Sequence, residues 1–354
     1  MATNIKSYHE QTDIKNTLKL REVLKTLPDF AKDYFRAIEP NSSSRTRINY
    51  AYDIRVFFNF LIEVNPIYKN YQTSDFKVSD LDKIQAVDIE EYLEYLKVYA
   101  DDEGEIITNK ERGLARKMSA LRSFYAYYFK HEMIKTNATV LVDMPKLHDK
   151  AIIRLDTDEV AMLLDFVENA EDYLTGKALS YYKKTKYRDL AILTLLLGTG
   201  IRVSECVGLD INDVDFKNNG ITVTRKGGSQ MVVYFGEEVE KALKNYLELD
   251  RNTTTAILAD EQALFLSTRK TRMGVQAVEN MVKKYAKQVT PNKKITPHKL
   301  RSTYGTTLYQ ETGDIYLVAD VLGHKDINTT RKHYAALDDT RRREAAKAVK
   351  LRED

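Results

Sequence analysis

In the stretch ERGLARKMSALRSFYAYYFKHEMI, the apolar residues Leu114, Met118, Leu121, Tyr125 and Tyr128 recur at alternating intervals of four and three. That spacing lines up one stripe of an α-helix and matches no strand. Upstream, RTRINYAYDIRVFFNFLIEV places Tyr52, Val56, Phe60 and Val64 four apart, a second helical face. The patterns between residues 25 and 146 are helical throughout and predict a helical domain there. On the face of the first stretch opposite its apolar seam lie Arg112, Arg116, Ser119 and Ser123, flanked by Lys117 and Arg122. Such a face is either solvated or fit to touch phosphate.

The 354 residues suit about two domains. The helical pattern lapses in NATVLVDMPKLHDKAIIRL, which predicts a linker over 147–153 and a second domain over 154–354. Residues 1–24 read as a polar arm or an added helix. The second domain opens with DTDEVAMLLDFVEN, where Asp156 or Thr157 serves as N-cap. It is mostly helical, with one exception. ITVTRKGGSQMVVYF alternates β-branched and polar residues about a Gly-Gly turn, a hairpin signal. The fold class is therefore mainly α with a small β-hairpin, the second domain being α+β.

Hydrophobic residues at 43% and charged residues at 30% fit a soluble globular chain. The start lacks a secretory apolar core, and LAILTLLLG is too short to span a bilayer. Cys206 is the single cysteine, which excludes an internal disulfide and suits a reducing, cytoplasmic setting. Net charge is only +3, yet Arg269 to Arg301 holds ten Lys or Arg against one acid, Glu279. A solvated basic face accounts for such a run, and so does a phosphate-rich partner.

Four separated stretches carry chemistry-bearing side chains. LLGTGIRVSE places Arg202 where a Gly-Thr-Gly break meets a new helix. The hairpin turn holds Lys226, with Arg225 as its rival. TPHKLRSTYG starts a helix at Pro297 and sets His298 and Arg301 on one face. LGHKDINTTRKHY contributes His324 and Tyr334. Singly, each of these has an ordinary structural explanation.

The ordered set of Arg, hairpin Lys, His-x-x-Arg, Gly-His and Tyr resembles the signature of the tyrosine recombinase (phage integrase) family. TGIRVSE, TRKGG, TPHKLRSTYGTTLY and LGHKDINTTRKHY are similar to its catalytic domain, and RTRINYAYDIRVFFNFL and MSALRSFYAYYF to its helical, SAM-like core-binding domain. In appearance the chain is closest to the single-recombinase Xer proteins of Gram-positive bacteria. The resemblance implies roles for Arg202, Lys226, His298, Arg301 and His324, with Tyr334 as nucleophile. It makes double-stranded DNA with a specific site the substrate, and Arg112, Arg116, Lys117 and Arg122 candidate DNA contacts. One departure is the Gly-Gly-Ser-Gln that follows Lys226, where relatives often carry a further cation.

Such a set suits phosphodiester chemistry. Two guanidiniums clamp the non-bridging oxygens while keeping their charge at neutral pH. A phenol with a reference pKa of about 10 needs a proton acceptor, for which His298 is placed. His324 donates to the phosphate, and Lys226 protonates the leaving 5′ oxygen. A 3′-phosphotyrosine conserves the bond's energy, so neither a metal nor another cofactor is expected. Carboxylates are expected to be kept away from such a site. The tail AALDDTRRREAAKAVKLRED reads as a short helix able to dock on a neighbouring subunit of a homo-tetramer. A DNA translocase or an excision factor is a further expected partner. The competing readings are a type IB topoisomerase and a catalytically silent accessory DNA-binding protein.

Overall fold

The computed structural model describes residues 7–101, 103–148, 152–225, 227–257, 260–324, 326–327 and 330. The chain divides into two compact units, Met1–Lys150 and Ala151–Asp354.

The first unit opens with helix α1 (Tyr8–Leu24). Ser7 and Glu10 close a reciprocal cap: the Glu10 carboxylate accepts the Ser7 N–H at 2.8 Å, and the Ser7 hydroxyl accepts that of Glu10 at 3.3 Å. Residues 8–24 are thus an added helix rather than a loose arm. It is fastened to α3 (Ser44–Val64) through Ser44, which donates to Asp13 at 2.6 Å and accepts from Asn16 at 3.0 Å. Leu20 and Val23 join the core. Helices α2 (Ala31–Ala37), α4 (Ala86–Tyr95) and α5 (Glu111–Lys130) complete the bundle. Its interior is aromatic, with edge-to-face pairs such as Phe57–Tyr92 and Phe124–Tyr128, each with ring centres 5.0 Å apart.

On α5 the buried seam includes Met118, Leu121, Tyr125 and Tyr128, with Leu114 packed at its edge. On α3 the expected stripe needs correction. Phe60 is buried, but Tyr52 and Val56 are only partly covered and Val64 is 46% exposed. A stripe of strict fours drifts by about 40° per step on a 3.6-residue helix, so it winds off the core. The inward face is carried instead by Ile48, Ala51, Ile54, Phe57, Phe58 and Leu61.

The all-helical expectation for 25–146 also needs correction. Strands β1 (Val98–Ala100) and β2 (Ile106–Thr108) form an antiparallel hairpin. The Asp101 carboxylate accepts the N–H groups of Glu103 at 3.0 Å and Glu105 at 2.9 Å, and Gly104 takes a φ of +83°. This local turn chemistry bends a segment whose acidic composition hid it.

In the second unit, α6 (Thr157–Glu168) is capped at Asp156, whose N–H is taken by Glu159 at 2.7 Å. After α7 (Gly176–Lys183), helix α8 (Lys186–Thr199) carries the LAILTLLL run and is buried on nearly every side. It packs against α6, α10 (Glu237–Leu249) and α12 (Pro297–Thr312). Its two buried charges are matched. Arg188 donates to Asp189 at 2.7 and 3.0 Å and to the Leu266 carbonyl at 3.0 Å, and the Tyr285 hydroxyl donates to Asp189 at 3.0 Å.

Short helix α9 (Val203–Gly208) leads into an antiparallel sheet ordered β3 (Val214–Asp215), β4 (Gly220–Thr224), β5 (Gln230–Tyr234). The anticipated hairpin is β4–β5, with Thr224 facing Gln230 at its turn end. Helix α11 (Val275–Val289) precedes α12, and α13 (Ile315–Leu322) follows it. Among the described residues no helix is long and apolar enough to cross a membrane.

Candidate active site

Three breaks in regular structure supply the site. Helix α8 ends at Gly200 with a φ of +63°, a left-handed stop at which a Cβ would strike the Tyr304 ring. The chain turns at once into α9, leaving Arg202 at its N-cap position. Helix α13 ends the same way at Gly323, with a φ of +61°. There the His324 N–H bonds the Ala319 carbonyl at 2.9 Å, which fixes the turn that presents the imidazole. The β4–β5 hairpin brings up Arg225.

These residues converge on the end of α13. Arg225 donates to the Val321 carbonyl at 2.8 Å, Arg301 to the Leu322 carbonyl, and Arg202 to the Gly323 carbonyl at 3.3 Å. Three guanidiniums thus occupy three consecutive carbonyls at a helix C-terminus, the end whose dipole favours cations. Arg301 is buried and also reaches the Gly200 carbonyl at 2.6 Å, locking the end of α8 to the end of α13. Arg202 remains partly exposed. The His324 ring nitrogen Nδ1 sits 2.7 Å from the hydroxyl of buried Thr330. His298 lies exposed in the first turn of α12, three residues before Arg301. Lys226, Tyr334 and the C-terminal tail lie outside the described residues.

One carboxylate does belong here, contrary to expectation. Glu205 is buried and accepts the Arg202 side chain at 2.7 Å and its backbone N–H at 2.8 Å. The signal was present in RVSE, since an acid three residues after a helix start faces back onto the cap. The carboxylate orients one guanidinium, and three cations against one buried acid leave the cluster positive. Thr330 lies outside the expected set, and Arg225 enters it only as a rival to Lys226 for the role of acid. The acceptor of Arg225 is a backbone carbonyl 96 residues away, which no local pattern encodes.

On α5 the four expected cations divide. Arg112 is exposed, and Arg116 is half exposed and paired with Asp53. Lys117 is buried, bonds Asp53 at 3.2 Å and lies over the Tyr99 ring. Arg122 donates to the carbonyls of Thr139 at 3.1 Å and Val142 at 2.5 Å. Lys117 and Arg122 therefore tie the first unit together rather than facing a phosphate, because buried Asp53 and the 139–142 turn claim their donors.

Residues 153–341 match the model of the phage integrase family, and residues 31–132 match that of the phage integrase N-terminal SAM-like domain. The chain belongs to the phage integrase, or tyrosine recombinase, family and is a site-specific DNA recombinase. It is 32% identical to the tyrosine recombinase XerC of Caldanaerobacter subterraneus subsp. tengcongensis, over 94% of this chain and 89% of that one. It is 31% identical to the tyrosine recombinase XerS of Streptococcus thermophilus, over 88% and 93%. Among solved structures, the fold is similar to that of XerH recombinase bound to a palindromic difH substrate after cleavage. That match has a TM-score of 0.64 and 21% identity, over 86% of this chain and 80% of that one. The topoisomerase and silent-accessory readings are not favoured.

Proposed function

We propose that both units bind duplex DNA, the first (about 25–146) contacting the core site and the second (154–354) breaking and rejoining a strand. Tyr334 attacks the phosphorus through its phenolic oxygen, giving its proton to His298. The bond to the 5′ oxygen breaks, and that oxygen takes a proton from Lys226. A 3′-phosphotyrosine remains until a 5′ hydroxyl from the partner duplex displaces it through a Holliday junction. Arg202 and Arg301 bind the non-bridging oxygens. In the tautomer in which the Thr330 hydroxyl donates to Nδ1, 2.7 Å away, His324 carries its own hydrogen on Nε2 and donates it to the same oxygens.

The observation that carries this reading is the convergence of three arginines and the His324 turn on one helix end. Carbonyl oxygens hold Arg225 and Arg301 in place without cancelling their charge, and three guanidiniums against the one carboxylate of Glu205 keep the cluster positive, which is the preorganisation that phosphoryl transfer rewards. A recombinase of similar fold caught after cleaving its DNA supports it. The exposed Arg112 and Arg116 serve as DNA contacts of the first unit. Exchange proceeds in a homo-tetramer joined through the C-terminal tail. It acts in the cytoplasm, on chromosome dimers or a mobile element, with a DNA translocase or an excision factor as partner.

The test is covalent capture on a nicked recombination site. Wild-type protein should form an adduct mapped to Tyr334. Tyr334→Phe should bind the site and form none. An adduct on another tyrosine would refute the choice of nucleophile.

A further inference from the structure

Arg225 is the cation of the cluster to which the proposed chemistry gives no task. Its backbone closes the hairpin turn: its N–H donates to Ser229 at 2.8 Å, and its carbonyl accepts from Gly228 at 2.9 Å. Its side chain leaves the hairpin and reaches Val321, 96 residues away in sequence. There it covers Gly323, where an added Cβ would fall on the guanidinium. Nε and Nη1 are buried with no hydrogen-bond partner among the described residues. Burial holds the group below the usual arginine value, with Glu205 opposing that shift and Arg202 adding to it. A half-buried arginine with unmet donors is a poor device for stability alone.

Among the described residues the turn it closes has little else to hold it. Gly227 and Gly228 take φ of +99° and +85°, and a Cβ at either would meet nothing within 4 Å. Ser229 and Gln230 are exposed. The Arg225 side chain is thus the tie between this turn and the body of the site. Lys226 is the next residue in the chain.

We propose that Arg225 is a positioning residue: it ties the hairpin turn to the end of α13, so that Lys226 is carried in register with the Gly323–His324 turn. This rests on the reading of Lys226 as the acid, and the experiment separates the two. Full-length wild type, Arg225→Ala, Arg225→Gln, Lys226→Ala and the Ala/Ala double variant are given nicked sites with oxygen or sulfur in the bridging 5′ position. A thiolate leaves without protonation, its reference pKa of about 8.5 lying far below an alcohol's.

Arg225→Ala should bind the site normally yet cleave the oxygen substrate about 10²-fold slower, the scale of a misplacement near 1 Å. It should cleave the sulfur substrate at close to the wild-type rate. The double variant should be no slower than Lys226→Ala, and Arg225→Gln, which keeps an N–H for Val321, should recover part of the loss. Equal loss on both substrates, multiplying with that of Lys226→Ala, would show Arg225 acting on the phosphate itself and would overturn the proposal. A wild-type rate for Arg225→Ala would do the same, as would loss of site binding by both Arg225 variants, which would mark a role in the fold. Failure of sulfur to rescue Lys226→Ala refutes only the acid reading. The tie would then still stand or fall on whether the double variant equals Lys226→Ala.

Discussion

The two units hold their inward-pointing cations in opposite ways. In the first, buried Lys117 meets the buried carboxylate of Asp53, which the half-exposed Arg116 shares, and one of the two charges is spent inside the domain. In the second, Arg202, Arg225 and Arg301 rest on backbone carbonyls, with Glu205 as the buried carboxylate bonded to one of them. A carbonyl fixes a guanidinium's direction and leaves its charge intact, whereas a carboxylate cancels it. Burial of a cation therefore says little about function until its acceptor is known.

The comparison can be broken from either side. The largest effect should come from Asp53→Ala, which leaves Lys117 buried without its carboxylate. A cost of about 3–5 kcal/mol is expected in urea or thermal unfolding. Burial pushes the Asp53 carboxyl above its ordinary range, outweighing the opposite pull of Lys117 and Arg116. Desolvation thus exceeds the attraction. Asp53→Leu combined with Lys117→Met should accordingly be neutral or stabilising, and a loss as large as that of Asp53→Ala would refute this account of the pair.

Arg301→Ala and Arg202→Ala should instead spare site binding and slow covalent adduct formation by about 10²–10³-fold, as for other preorganised donors to a developing anion. Arg202→Lys should recover little, because an ammonium cannot serve Glu205 and an anion with the same fixed fork. Near-wild-type cleavage by Arg202→Lys would mean that only the charge matters. The smallest effect belongs to the exposed cation. Arg112→Ala should leave stability unchanged and lower the salt slope of DNA binding by about 1, weakening all sequences alike. An unchanged slope would remove Arg112 from the DNA-contacting surface.

Much of the architecture was legible because its causes are local. The α5 seam, the Asp156 cap, the Pro297 start and the β4–β5 hairpin each follow from spacing or turn chemistry within a few residues. The α3 stripe of Tyr52, Val56, Phe60 and Val64 does not follow the buried face, because intervals of four drift around a 3.6-residue helix. The β1–β2 hairpin was missed because Asp101 and Gly104 make their turn inside a run that looked merely acidic. Glu205 is legible in RVSE as an acid three residues after a cap, although phosphate chemistry predicts that acids are excluded from such a site.

By itself the sequence determined the helical periods, the break between two domains and the ordered set from Arg202 to Tyr334 that marks a tyrosine recombinase. Only the tertiary structure decided which cations are spent and which keep their charge. Lys117 meets Asp53 across 64 residues, and Arg301 meets Leu322 across 21. Arg225 reaches Val321 across 96. A helical period is set by backbone geometry within one turn, so it is written in neighbouring residues. The acceptor of a buried guanidinium is set by how helices pack, and often it is a backbone carbonyl, which every residue carries and no side-chain pattern marks.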